Sequence, residues 1–163
     1  MESALMGYSF SPETKEKFDV LVTRYPEKKA ALIPTLWLAQ EELGWLPPEA
    51  LAYCAELLDL APSKALSVAS FYTMFNLKPV GRYKIEVCRT LSCALCGAFE
   101  ILDHLENRLG IRVGETTPDG KFTLMTQECL ASCGTGPMMQ VNGKRYFESL
   151  TPQRVDEILN SLA

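Results

Sequence analysis

The sequence predicts an α/β (α+β) chain: an amino-terminal helical bundle over residues 1–80, then a small sheet with flanking helices over residues 81–163. Two observations carry this. Apolar residues recur at helical spacing through the first eighty positions, until Pro79 and Gly81 interrupt them. Beyond that break the period changes to two, the spacing of a half-buried strand.

The helical half opens at Ser11-Pro12-Glu13, a capping hydroxyl followed by a proline at the first helical position and an early acid. A second helix is expected from Lys28 to Leu43, with Ile33, Leu36, Trp37, Gln40 and Leu43 near one face and Gly44 as its stop. Pro34 falls near its first turn, where a missing N–H costs least. A third helix follows Pro47-Pro48, carrying Leu51, Ala55 and Leu58. A fourth begins near Pro62-Ser63 and runs with Leu66, Ala69 and Phe71 towards Phe75.

In the second half, Lys84 and Glu86 alternate with Ile85 and Val87 across 83–88, which predicts a strand. Ala98, Ile101, Leu102, Leu105 and Leu109 then form a helical stripe that Gly110 ends. Residues 122–127 predict a second strand. Asn142-Gly143 between two short apolar runs signals a hairpin, because both residues tolerate positive φ. Thr151-Pro152 starts a last helix with Val155, Ile158, Leu159 and Leu162 facing inward.

Bulk composition narrows the function classes. Of 163 residues, 47% are hydrophobic and 22% charged, enough for a core without disulfide staples. A net charge of −4 leaves no electrostatic footprint for nucleic acid. No apolar stretch approaches the roughly 20 residues of a membrane span, so no direct membrane insertion is expected. The start lacks a basic segment followed by an apolar run, and no signal peptide is expected.

Without a secretory signal, the six cysteines point to metal or redox chemistry rather than to a disulfide framework. Cys88 ends the first strand, Cys93 and Cys96 lie in the following loop and helix start, and Cys129 and Cys133 follow the second strand. Loops leaving neighbouring strands at one end of a sheet converge, so distant thiols can meet. Three chemistries compete for them. Zinc asks for a closed tetrahedron, and the only histidine, His104, lies within a helix. A 2Fe–2S cluster takes two thiolate pairs, which Cys88/Cys93 and Cys129/Cys133 supply. Thiol–disulfide exchange fits Cys93-Ala94-Leu95-Cys96 at a helix start but leaves Cys88, Cys129 and Cys133 unused. Read literally, 88–96 is also C-x4-C-x2-C, which admits a cluster on Cys88, Cys93, Cys96 and one later cysteine.

Taken together, ASFYTMF (69–75), PVGRY (79–83), VC-x4-C with Gly97, TPDGKFT (117–123) and EC-x3-C with Gly134 and Pro137 resemble the thioredoxin-like 2Fe–2S ferredoxin subunit of NADH:quinone oxidoreductase, respiratory complex I. Similar chains serve NAD-linked hydrogenases and formate dehydrogenases. The resemblance runs from about residue 11 to 163. It implies a thioredoxin-like second domain with a mixed sheet, and one 2Fe–2S cluster held by Cys88, Cys93, Cys129 and Cys133. It also implies electron transport with a flavin- and NADH-binding partner subunit, which holds FMN and NADH. The implied location is cytoplasmic, peripheral on the inner membrane through the complex.

Several residues receive narrower expectations. Gly134 and Gly136 are expected to let backbone approach sulfur closely, and Arg89 to offset negative charge beside Cys88. Pro137 resembles a cis-proline position. Cys96 is read as a partly buried thiol and Cys54 as core. Trp37, Trp45 and Phe71-Tyr72 are read as packing or docking surface, and Glu41-Glu42 as a solvated face. G-T-G-P lacks the spacing that cradles a dinucleotide pyrophosphate, so NADH oxidation is assigned to the partner.

Overall fold

The computed structural model describes residues 7–162. The chain divides into two compact units, one ending at Pro79 and one beginning at Val80.

The first unit is helical. Helix α1 (Pro12–Val22) starts as its sequence predicts, with the Ser11 hydroxyl accepting from the Thr14 N–H at 3.3 Å. Lys28–Ala31 is a 3₁₀ turn leading into α2 (Leu32–Leu43), which Gly44 ends at φ +81. That φ suits a residue without Cβ. Helices α3 (Pro48–Leu57) and α4 (Pro62–Phe71) complete the unit. Phe18, Leu36, Ala39, Leu51, Cys54 and Leu58 belong to one buried cluster. Cys54 is fully buried there, and burial pushes its thiol up to about 12. Helix α4 stops four residues short of the expected Phe75. It buries Ala65 and Ala69, not Leu66 and Phe71, which are 50% and 77% exposed. Small residues on its inner face let α4 lie close against α3.

The second unit begins with β1 (Tyr83–Cys88), followed by a short helix α5 (Leu91–Leu95) and by α6 (Ala98–Leu109). Strand β2 (Phe122–Gln127) precedes the hairpin β3 (Met139–Val141) and β4 (Arg145–Phe147), and α7 (Pro152–Ser161) closes the unit. Sheet order is β2-β1-β3-β4, with β1 parallel to β2 and antiparallel to β3. Asn142 and Gly143 turn the hairpin at φ +54 and +65. The Asn142 side chain fastens that turn to β1: its Oδ1 accepts from the Lys84 N–H at 2.7 Å and its Nδ2 donates to the Arg82 carbonyl at 3.0 Å. Helix α6 packs on β1 and β2, and α7 packs on α6. Between them lies a core that includes Ile85, Val87, Leu105, Leu124, Met139 and Val155.

The other face of the sheet departs from simple alternation. Lys84 and Glu86 are 8% and 5% exposed and form an ion pair at 2.9 Å. Gln140 on β3 donates to the second carboxylate oxygen of Glu86 at 2.7 Å. A buried charge left without its partner costs about 3–5 kcal/mol. Glu86→Ala should therefore lower urea stability by about that amount, while Lys84→Met/Glu86→Leu together should recover most of the loss.

Candidate metal centre

Parallel pairing puts the carboxyl ends of β1 and β2 side by side, with Cys88 opposite Gln127. Both chain segments leave the sheet there. After β1 comes Thr90, then α5 with Cys93. After β2 comes the loop of Cys129 to Pro137, where residues 133–135 make a single 3₁₀ turn. That turn touches α5. Thiols forty residues apart in sequence are thereby brought to one end of the sheet, as the strand topology predicts.

The four thiols fall into two kinds. Cys88 and Cys93 are buried, in a small cluster with Ala98, Leu130 and Met138, whereas Cys129 and Cys133 are exposed on the facing loop. Cys88 Sγ lies 3.3 Å from the Thr90 hydroxyl. Burial pushes the Cys88 thiol up. Hydrogen bonds from the Thr90 hydroxyl, from the N–H groups of Thr90 and Leu130 and from Cys93 outweigh burial and leave it below the ordinary thiol value. Cys93 moves the other way. Burial comes first, then donation of its proton to Cys88 and the charge there, with the Met138 N–H opposing. Of this pair, Cys88 is the more acidic member. Nearby Cys133 adds to the upward push on Cys93.

Main-chain donors also reach the second pair. Ala131, held at φ +57, directs its N–H onto Cys129 Sγ at 3.3 Å. Gly136 provides the close approach expected of it: a Cβ there would meet Cys93 Sγ at 3.3 Å and the Cys93 Cα at 3.4 Å. Gly134 does not, since a Cβ there would find nothing within 4 Å. The Gly136–Pro137 peptide is cis, in line with the comparison drawn from sequence.

Two narrower expectations change. Arg89 is not free to face the thiols, because its guanidinium pairs with Glu128. Cys96 is exposed rather than partly buried, at the carboxyl cap of α5. Cys93 is 1% exposed, and its thiol is hydrogen-bonded to Cys88. A disulfide-exchange nucleophile needs an accessible, acidified thiol, and Cys93 is neither. His104 is taken by Asp156 of α7 at 3.1 Å. Among the described residues, no three His, Cys, Asp or Glu side chains converge as ligands for one ion. Two buried and two facing thiols, each pair with N–H donors aimed at sulfur, suit a two-iron cluster, which asks two ligands of each metal.

A family model described as thioredoxin-like [2Fe-2S] ferredoxin matches residues 18–163. The chain belongs to that family. Among similar proteins, an NADH-quinone oxidoreductase subunit of Rhizobium meliloti (strain 1021) is 44% identical over 147 residues, covering 90% of this chain and 87% of its own. NADH-quinone oxidoreductase subunit 2 of Thermus thermophilus is 40% identical over 155 residues, with 94% and 86% covered. A crystal structure of an NAD+-reducing [NiFe]-hydrogenase in the air-oxidized state superposes with a TM-score of 0.72 at 25% identity over 81% of this chain. This ferredoxin chain spans 22% of that hydrogenase chain.

Two features of the site have no local sequence signal. One is the left-handed Ala131, since alanine does not advertise positive φ. The other is Glu148, which lies beyond the hairpin yet accepts hydrogen bonds from Ser132 and from Thr135, the latter at 2.7 Å. Those two hydroxyls hold its carboxyl below the ordinary range.

Thiol burial is directly measurable. Iodoacetamide at pH 8 should label Cys96, Cys129 and Cys133 of the metal-free chain within minutes. Cys54, whose thiol stays protonated far above that pH, should be modified only after unfolding; peptide mass spectrometry reads both.

Proposed function

We propose that this chain is the electron-transfer subunit of NADH:quinone oxidoreductase (complex I) that exchanges single electrons with the flavin of an NADH-oxidising partner. In this reading, Cys88, Cys93, Cys129 and Cys133 hold one 2Fe–2S cluster. The observation that carries it is the convergence of the two loops at the carboxyl ends of paired β1 and β2. Support for the parent complex comes from relatives named as NADH-quinone oxidoreductase subunits, matched over nearly their full lengths. The hydrogenase likeness supports a second reading, the same relay in an NAD-linked hydrogenase, but over a small part of a much longer chain.

When bound, such a cluster supplies reversible one-electron chemistry at low potential. The chain's own residues do the rest. Leu130 and Met138 line the buried side and exclude water from Cys88 and Cys93. The N–H groups of Leu130, Met138 and Ala131 offset negative charge on sulfur, which eases acceptance of an electron. In this reading oxidation of NADH, and the FMN that performs it, belong to the partner, since G-T-G-P lacks the spacing that cradles a dinucleotide pyrophosphate.

Residues 81–163 are the cluster-binding domain in this proposal and the helices of 1–80 the partner-binding one. Leu91 and Leu95, 74% and 79% exposed and one turn apart on α5, and Phe99 at 55% supply an apolar rim beside the ligands. A partner docked there would lie beside the ligand loops. No helix among the described residues is long and apolar enough to cross a membrane. A peripheral position on the cytoplasmic side of the inner membrane, held by the complex, follows from the proposal.

Anaerobic reconstitution with iron and sulfide should give a red-brown chain with a rhombic EPR signal on reduction. Serine at any of positions 88, 93, 129 or 133 should abolish or grossly alter that signal, and Cys54→Ser and Cys96→Ser should keep it. Retention of iron and colour in Cys129→Ser/Cys133→Ser would overturn the assignment. The isolated chain should not reduce ferricyanide from NADH. Leu95→Glu should reduce co-purification with the flavin subunit without loss of colour.

A further inference from the structure

We propose that Glu148 is a positioning residue for the ligand pair Cys129/Cys133, clasping their loop through the Ser132 and Thr135 hydroxyls. The inference rests on the cluster assignment above and adds what holds the exposed half of the site in shape.

The loop from Cys129 to Pro137 lies outside the sheet pairing, and its cysteines are exposed. Apolar burial therefore cannot present these thiols as it presents Cys88 and Cys93. Glu148 stands just past β4, on the segment that returns from the hairpin. One of its carboxylate oxygens accepts from both hydroxyls, Ser132 and Thr135, with Thr135 at 2.7 Å. The two hydroxyls lie 3.2 Å apart and bracket Cys133 in sequence. Hydrogen bonds to an ionised acceptor are about twice as strong as neutral ones. The depressed carboxyl of Glu148 keeps that acceptor ionised.

The main chain repeats the clasp. Ser149 donates its N–H to the Thr135 carbonyl at 2.7 Å, and Leu150 donates to the Pro137 carbonyl at 3.0 Å. Ser149 does so from φ +49, a conformation a non-glycine residue keeps only when its surroundings fix it. Leu150, buried among the core residues of this unit, anchors the segment. Side chain and backbone of 148–150 thus fasten residues 132–137 from one side, while Gly136 packs on Cys93 from the other. Among the described residues, Glu148 takes its side-chain hydrogen bonds from Ser132 and Thr135 and not from a thiol. It acts through two hydroxyls that flank one.

The test uses the full chain, reconstituted, with iron release to a ferrous chelator as its main readout. Loss of an outer partner of a metal ligand typically costs ten- to a hundredfold in metal affinity. Glu148→Ala should release iron roughly tenfold faster than the parent and broaden the EPR signal. Glu148→Gln, which keeps an acceptor oxygen but no charge, should fall between, and it carries the test if the alanine variant does not fold. Ser132→Ala/Thr135→Val should match Glu148→Ala, and adding Glu148→Ala to that pair should change nothing further. In the metal-free chain, amide exchange across 131–136 should rise in Glu148→Ala while exchange in β1 stays unchanged.

Parent-like iron release and exchange in both Glu148 variants would overturn the clasp, as would a full additional effect on top of Ser132→Ala/Thr135→Val. If the parent chain itself takes up no cluster, the assignment of the site fails instead. The exchange measurement, which needs no metal, still decides the clasp.

Discussion

Parallel pairing between β1 and β2, in register from Tyr83 with Phe122 to Cys88 with Gln127, is the constraint on which the site depends. Parallel neighbours send their outgoing connections off the same edge, and a binding niche at the carboxyl ends is the usual result. Here those connections carry the thiols. Helix α6 serves as the crossover that makes the parallel pair possible, and its Ile101 and Leu105 are part of the same core as Ile85, Val87 and Leu124. The stability of the sheet and the geometry of the niche are therefore one property.

Electrostatics explains why the niche is built from backbone. In the proposed site, four thiolates with inorganic sulfide would concentrate negative charge, and a cationic side chain would be the blunt means of offsetting it. Arg89 is sequence-adjacent and would serve, yet Glu128 occupies it. The protein relies instead on fixed N–H dipoles from Thr90, Leu130, Ala131 and Met138, which need no counterion and do not move. Gly136 matters for the same reason, because it lets main chain come against Cys93 where a side chain would hold it off.

Much of this was legible in the sequence. Strand and helix limits in the second half follow from period and punctuation: 83–88 and 122–127 are strands as read, and Asn142-Gly143 turns the hairpin. The thiols to consider, and the convergence of the two loops that carry them, were readable from where they sit relative to strands. What was not readable was set by tertiary context. Leu66 and Phe71 look like a buried stripe but face outward, because α4 packs through Ala65 and Ala69. Lys84 and Glu86 look like a solvated face but bury as a pair, since each supplies the other's counter-charge. Glu148 reaches Ser132 only because a hairpin of a given length folds back past the loop.

The strand order has a bearing on how the molecule matures. β1 is central, yet it takes both of its neighbours from later sequence, and the groups that restrain Cys93, Met138 and Gly136 among them, are later still. During synthesis Cys88, Cys93 and Cys96 leave the ribosome together, with no opposing loop to separate their roles. Discrimination among these three sulfurs is thus a property of the completed domain, reached only once the last hairpin has closed beside the first strand.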